Sequence, residues 1–168
     1  MRTNLVLFLA IYTAVNGSSS LASPLPLARL LPGHEKRVEV ALRRLEKDHG
    51  VSAVTLQAIA FTESSYNPRA TSKAGARGLL QVMPSHVGKE LCPEAKRKRD
   101  LFDPVISLSC GARILRYELD RHGDDLTLAL AAYNGGPRCV RKGEIVCGGA
   151  KRYAQKVLFL IARFLGEA

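Results

Sequence analysis

Apolar residues along this chain recur with the spacing of helices. Val38, Ala41, Leu42 and Leu45 fall at i, i+3, i+4 and i+7 and mark one apolar face, with Gly50 as its C-terminal stop. A second helix starts at Ser52, a good N-cap, and carries Val54, Ile59, Ala60 and Phe61. Asn67-Pro68 closes the segment after it, because the residue before proline avoids helical dihedrals. Gly75 and Gly78 make the stretch from Thr71 to Pro84 turn-rich around a short apolar run, Leu79 to Met83. Asp103-Pro104 reads as a cap followed by a first-turn proline, and opens a helix past Ile106, Ile114, Leu115 and Leu119 to Gly123. Asp124 or Asp125 caps the next helix, which runs through Leu126, Leu130 and Tyr133 and ends at Asn134-Gly135-Gly136. Tyr153, Val157, Leu160, Ile161 and Phe164 share one side of the last. No alternating strand or βαβ pattern is visible, so the predicted fold class is mainly α.

The N-terminus follows a different logic. Arg2 precedes a largely apolar run from Leu5 to Val15, and Ser20 and Ala22 place small residues at −3 and −1 of a cut after Ala22. That order is the order of a secretory signal peptide. A permanent membrane anchor is the rival, but the run is shorter than the roughly 20 residues a bilayer span needs. No cysteine stands beside the cut to take a lipid. The expected organisation is a signal peptide at 1–22, a lead-in segment at 23–34 and one domain at 35–168, exported to the periplasm or secreted.

Composition narrows the function classes. A chain of 168 residues with 46% hydrophobic and 24% charged residues builds one cored domain, not a disordered tail. Its net charge of +10 favours polyanionic partners such as nucleic acid, an anionic membrane face or an acidic wall polymer. Trp is absent, and five Phe with five Tyr leave few stacking platforms. With an export signal and no recognisable nucleic-acid motif, nucleic acid drops out. Lys96-Arg97-Lys98-Arg99 is the densest basic run.

Cys92, Cys110, Cys139 and Cys147 form an even set, as an oxidising compartment favours. No pair has the close spacing of a zinc knuckle, and none of His34, His49, His86 and His122 completes one. Three disulfide connectivities are open. Cys92–Cys110 and Cys139–Cys147 are preferred, since each closes a short, loop-rich segment.

Chemistry concentrates at Glu63. It ends the most apolar helix of the chain, after Gln57-Ala58-Ile59-Ala60-Phe61-Thr62. Apolar neighbours and the negative end of a helix dipole both disfavour its ionised form, which raises its pKa. A carboxyl that stays protonated near neutral pH is a general acid for a glycosidic oxygen. Alone, a glutamate at a helix end is a solvated surface residue; the residues around this one change that reading.

Glu63-Ser64-Ser65-Tyr66-Asn67-Pro68, Ala70-Thr71-Ser72 and Gly75-Ala76-Arg77-Gly78-Leu79-Leu80-Gln81-Val82-Met83-Pro84 together resemble the core signature of the soluble-type lytic transglycosylases. Ala131-Ala132-Tyr133-Asn134-Gly135-Gly136-Pro137 resembles that family's second block, and Tyr153 with Val157 its third. The likeness runs from about Val51 to Leu165 and is nearest to small members that accompany secretion and conjugation machines. It implies a lysozyme-like single domain that cleaves peptidoglycan without a metal or organic cofactor. Glu63 would be the sole catalytic acid/base. Ser72 would lie near the N-acetylmuramyl unit, Gln81 and Met83 would line the groove, and Tyr133, Asn134 and Tyr153 would complete the substrate site. Where relatives carry an acidic residue and a threonine before the third-block tyrosine, this chain has Gly149-Ala150-Lys151-Arg152.

A second carboxylate, which ordinary glycosidases place about 5–9.5 Å from the first, is missing from the motif region. Asp103, Asp124 and Asp125 read as helix caps. The mechanism implied by the resemblance needs only one. Protonated Glu63 protonates the oxygen between N-acetylmuramic acid and N-acetylglucosamine, and the muramyl N-acetyl oxygen stabilises the cationic centre. Ionised Glu63 then takes the proton of the muramyl C6 hydroxyl, which closes a 1,6-anhydro ring. A hydrolase of lysozyme type and a non-catalytic wall-binding assembly protein are the competing readings.

Overall fold

The computed structural model describes Leu27 and residues 31–166. The expected signal segment, 1–22, lies outside the described residues. Helices α1 (Glu35–His49), α2 (Ala53–Ser64), α3 (Pro104–Arg121), α4 (Leu126–Gly135) and α5 (Gly148–Leu165) follow in order, with a two-residue hairpin, β1 (Val140–Arg141) and β2 (Glu144–Ile145), before the last. None of these helices is long and apolar enough to cross a membrane.

The caps expected from the sequence are formed. Ser52 accepts from the Thr55 N–H at 3.1 Å, Asp103 from those of Val105 and Ile106, and Asp125, not Asp124, from that of Leu128. Each satisfies donors that the first turn of a helix leaves orphaned. Gly50 ends α1 with a left-handed φ of 63°.

α2 is the axis of the core. Leu56, Ala58, Ile59 and Ala60 are fully buried, and α5 packs across both α2 and α4. Gln57 is buried as well. Its side-chain oxygen accepts the backbone N–H of Leu27 at 3.1 Å, which satisfies a polar group that would otherwise cost stability. Leu27 and Leu31 belong to the core, so residues of the lead-in segment seal one end of it.

Two details differ from the sequence reading. On α5 the buried stripe is Ala150, Tyr153, Ala154, Val157 and Ile161, while Phe164 is exposed. Alanines at the contact let α5 come close to its neighbours, so the face rotates away from Phe164. The hairpin is the other. Two-residue strands are too short to show alternation, and its turn rests on Lys142 and Gly143, both at positive φ, as tight hairpins require.

Both disulfides form as the spacing suggested, Cys92–Cys110 and Cys139–Cys147. The first joins the loop after residue 87 to the middle of α3, and its two cysteines are fully buried. Replacing both with alanine is expected to lower unfolding stability by about 3 kcal/mol, read by urea denaturation. An unchanged midpoint would show that the loop is held without the bridge.

Candidate active site

Glu63 sits in the last turn of α2, and the chain leaves that turn abruptly. Ser64 Oγ donates to the Ala60 carbonyl at 2.9 Å, and the Ser65 N–H meets the carbonyls of Ala60 and Phe61. Ser65 and Tyr66 both have left-handed φ, 49° and 65°. Two consecutive non-glycine residues in that region cost about 1–2 kcal/mol each, strain of the kind that gathers at functional sites. The Tyr66 ring packs against Phe61, with centroids 5.5 Å apart. Phe61 and Tyr66 therefore flank Glu63 in sequence on both sides.

The loop beyond is clamped at Leu80. Its N–H donates to Ser107 Oγ on α3 at 3.2 Å, and its carbonyl accepts from the Tyr133 hydroxyl on α4 at 2.7 Å. The Leu80 side chain lies over Gly111, where a Cβ would stand 2.2 Å from Leu80 Cδ1. Gln81, at φ 48°, directs its amide nitrogen to the carbonyls of Gly78 and Ala70, at 3.0 and 3.2 Å. Ser72 accepts from the Ala76 N–H at 3.0 Å. Both polar side chains thus hold the loop in shape. Met83, just past it, and Asn134, one residue after Tyr133, are exposed.

Glu63, Tyr133 and Tyr153 come together from α2, α4 and α5. Burial pushes the Glu63 carboxyl above its ordinary pKa, while the Tyr153 hydroxyl and the positive charge of Lys156 act against the shift. The two tyrosines are driven well above their ordinary values, first by burial and then by the charge on Glu63. The Tyr153 hydroxyl reaches the carboxyl's surroundings but has no partner at full hydrogen-bond geometry. Catalytic hydrogen bonds are often long or poorly aligned until substrate arrives. Lys156, one turn beyond Tyr153, has no local mark in the sequence, because only the fold brings its charge to bear on Glu63.

The other acids offered by the sequence are engaged. Asp103 caps α3 and pairs with Arg37 at 3.0 Å, Asp125 caps α4, and Asp124 binds Arg116. No group of three or more metal-ligand side chains occurs among the described residues.

A family model for the transglycosylase SLT domain matches residues 41–154, a span that holds Glu63, the clamped loop, Tyr133 and Tyr153. The chain belongs to that family. Its SLT domain is 39% identical over 107 residues to a transglycosylase of Enterobacteria phage PRD1, covering 64% of this chain and 36% of the relative. It is 34% identical over 102 residues to the soluble lytic murein transglycosylase of Salmonella typhimurium, covering 58% of this chain and 16% of that protein. The SLT domain thus corresponds to a minor part of these relatives. Among solved structures it is similar to the 70-kDa soluble lytic transglycosylase in complex with bulgecin A, at 22% identity and a TM-score of 0.68 over 96% of this chain and 34% of that one. An inactive glutamate-to-glutamine mutant of the Pseudomonas aeruginosa enzyme Slt gives 24% identity and a TM-score of 0.66, over 80% of this chain and 25% of that one. The fold is the mainly helical, lysozyme-like one expected.

Burial of Glu63 also has a consequence for the SLT domain's stability. The folded protein holds the Glu63 proton more tightly than the unfolded chain, so stability declines as pH rises from the ordinary value of 4.5 through the raised one. Glu63→Gln is therefore expected to have a higher Tm than wild type at about pH 7, with the difference gone near pH 3. Calorimetry at the two pH values checks this, and equal Tm values at both would mean that the carboxyl is hydrated.

Proposed function

We propose that this protein is a peptidoglycan lytic transglycosylase that cleaves the bond from N-acetylmuramic acid to N-acetylglucosamine and leaves 1,6-anhydromuramyl ends. The observation that carries the reading is a part-buried carboxyl, Glu63, raised in pKa by burial beside Tyr133 and Tyr153, while Asp103, Asp124 and Asp125 are tied to caps and arginines and the buried Glu118 pairs with Arg121. One carboxyl that both gives and takes a proton fits a substrate that brings its own nucleophile, the muramyl C6 hydroxyl. The names of the relatives agree with that chemistry.

In this reading Glu63 protonates the glycosidic oxygen and then removes the C6 hydroxyl proton, so that no water is consumed. Tyr153, near enough for its pKa and that of Glu63 to shift each other, orients the carboxyl once substrate is bound, and Tyr133 fixes the loop by holding the Leu80 carbonyl. Gln81 and Ser72 keep the loop between α2 and α3 in register beside the substrate, with Met83 and Asn134 as exposed contacts. The residues need no metal or organic cofactor for these steps. Export through the segment at 1–22 would deliver the enzyme to the periplasm or beyond, where local opening of the wall serves a secretion or conjugation apparatus.

Mass spectrometry of purified peptidoglycan digested by wild type and by Glu63→Gln tests the reading. Anhydromuramyl products from wild type alone are expected. Reducing-end products would make the protein a hydrolase, and products from neither would make it a wall-binding protein.

A further inference from the structure

The basic residues of this protein differ in how far their neighbours answer them. On α1 and α3 the arginines are neutralised by neighbours: Arg43 meets Glu39 at 2.6 Å, Arg44 meets Asp48 at 3.1 Å, and Arg116 meets Asp120 at 2.7 Å. Even the run 96–99 is partly answered, because Arg97 pairs with Asp100 and the Lys96 ammonium donates to the Pro93 carbonyl. The hairpin and the start of α5 are different. Arg138, Arg141, Lys142, Lys151, Arg152 and Lys156 are all exposed, and Glu144 is the one acidic residue in that span. Glu144 stands opposite Arg141 in the hairpin register, yet no ion pair among the described residues includes any of the six cations.

This cationic face is held rigidly. Cys139–Cys147 joins the two ends of the hairpin, and the Val146 N–H donates to the Cys139 carbonyl at 2.9 Å. Gly135 packs beneath it, where a Cβ would stand 2.6 Å from the Cys139 sulfur. The face also borders the cleft. Arg152 precedes Tyr153, α4 brings Tyr133 to the base of the same hairpin, and the Lys156 charge is felt by the Glu63 carboxyl.

We propose that the disulfide-clamped hairpin and the first turns of α5 form a docking face for the carboxylates of the peptide stems that hang from the glycan strand. The proposal rests on the reading of the substrate given above. A glycan lying in the cleft puts its sugar-borne groups against Glu63 and the tyrosines, whereas a peptide stem projects away from the sugar and reaches the rim. Its free carboxylates meet six unanswered cations there. Exposed charges at a rim act mainly on association and on its salt dependence, because ions screen them beyond about 8–10 Å. Lys36, Lys47, Lys73, Lys89, Lys98 and Arg99 are exposed without an ion pair too, but the hairpin and the start of α5 gather six such cations around one disulfide, in a face distinct from the run 96–99.

Co-sedimentation with insoluble sacculi, in a Glu63→Gln background so that nothing is cleaved, tests the face without requiring turnover. Arg141→Glu/Lys151→Glu is expected to weaken binding about tenfold at low ionic strength, with the difference lost at about 0.5 M salt. The neutral pair Arg141→Gln/Lys151→Gln should fall between. Lys36→Glu/Lys47→Glu on α1, the same change in charge elsewhere, should stay within about twofold of the parent. On strands stripped of their peptides by an amidase, which still carry lactyl carboxylates, the face variants and parent should bind alike. Equal weakening by the α1 pair would reduce the effect to bulk charge and overturn the proposal. Undiminished differences on stripped strands would do the same in favour of the lactyl group. Loss of binding to anionic phospholipid vesicles alone, with sacculi unaffected, would assign the face to a membrane instead. Failure of the functional reading shows separately, as absence of anhydromuramyl products from wild type.

Discussion

Glu63→Gln is expected to lower peptidoglycan cleavage by about 10³-fold while leaving binding to sacculi intact. The amide keeps the size and hydrogen-bonding reach of the carboxyl but can neither deliver the proton to the glycosidic oxygen nor accept one from the C6 hydroxyl. Both halves of the reaction depend on the same group, so no residual route through a second carboxylate is open. The wild-type enzyme should also show a particular pH profile. Cleavage begins with the protonated carboxyl, so activity should fall as pH rises through the Glu63 pKa, and burial places that limb above the ordinary carboxyl range. Substituting Tyr153 with phenylalanine removes an opposing influence and should move the limb further upward. A variant at position 63 that retained even a tenth of wild-type turnover would remove this residue from its role. A limb at the ordinary carboxyl value would instead retain the role and discard the part played by burial.

The helices and their caps were legible because they obey local rules. Ser52, Asp103 and Asp125 meet the first-turn donors as their side chains allow, and the apolar spacing of α1 is the spacing of its buried face. Glu63 was legible as an anomaly, a carboxylate at the end of an apolar helix, and became a candidate once the motif around it was seen. What stayed hidden depends on residues distant in sequence. Nothing local says that Tyr133 donates to a carbonyl fifty-three residues away, or that Gln57 exists to receive the N–H of Leu27. The same holds for charge: Lys96-Arg97-Lys98-Arg99 is the densest run on paper, but Asp100 folds back on it. The hairpin and the start of α5 gather six cations that no ion pair among the described residues answers, which only three-dimensional neighbours reveal.

The loop that carries Ser72 and Gln81 offers a comparison in which two glycines separate backbone strain from packing. Gly75 and Gly78 both have left-handed φ, 89° and 79°. A Cβ at Gly75 meets nothing within 4 Å, so Gly75→Ala carries only the dihedral cost, about 1–2 kcal/mol. At Gly78 the Cβ would stand 2.0 Å from the Leu101 carbonyl oxygen and 2.8 Å from Ser107 Oγ. The first is backbone at the turn leading into α3, and the second is the hydroxyl that receives the Leu80 N–H, so neither can give way cheaply. Gly78→Ala is expected to lose about 3–5 kcal/mol, measured by urea denaturation beside Gly75→Ala. It should also lose activity where the Gly75 variant keeps it. To make room, the loop must lift from Ser107, which frees Leu80 and breaks the Gln81 contact with the Gly78 carbonyl. The Tyr133 hydroxyl then has no carbonyl to hold, and the bond that ties the loop to α4 beside Glu63 is lost. Equal losses for the two alanines would mean that the loop adapts freely, and that Leu80 is not the anchor through which α3 and α4 fix the site.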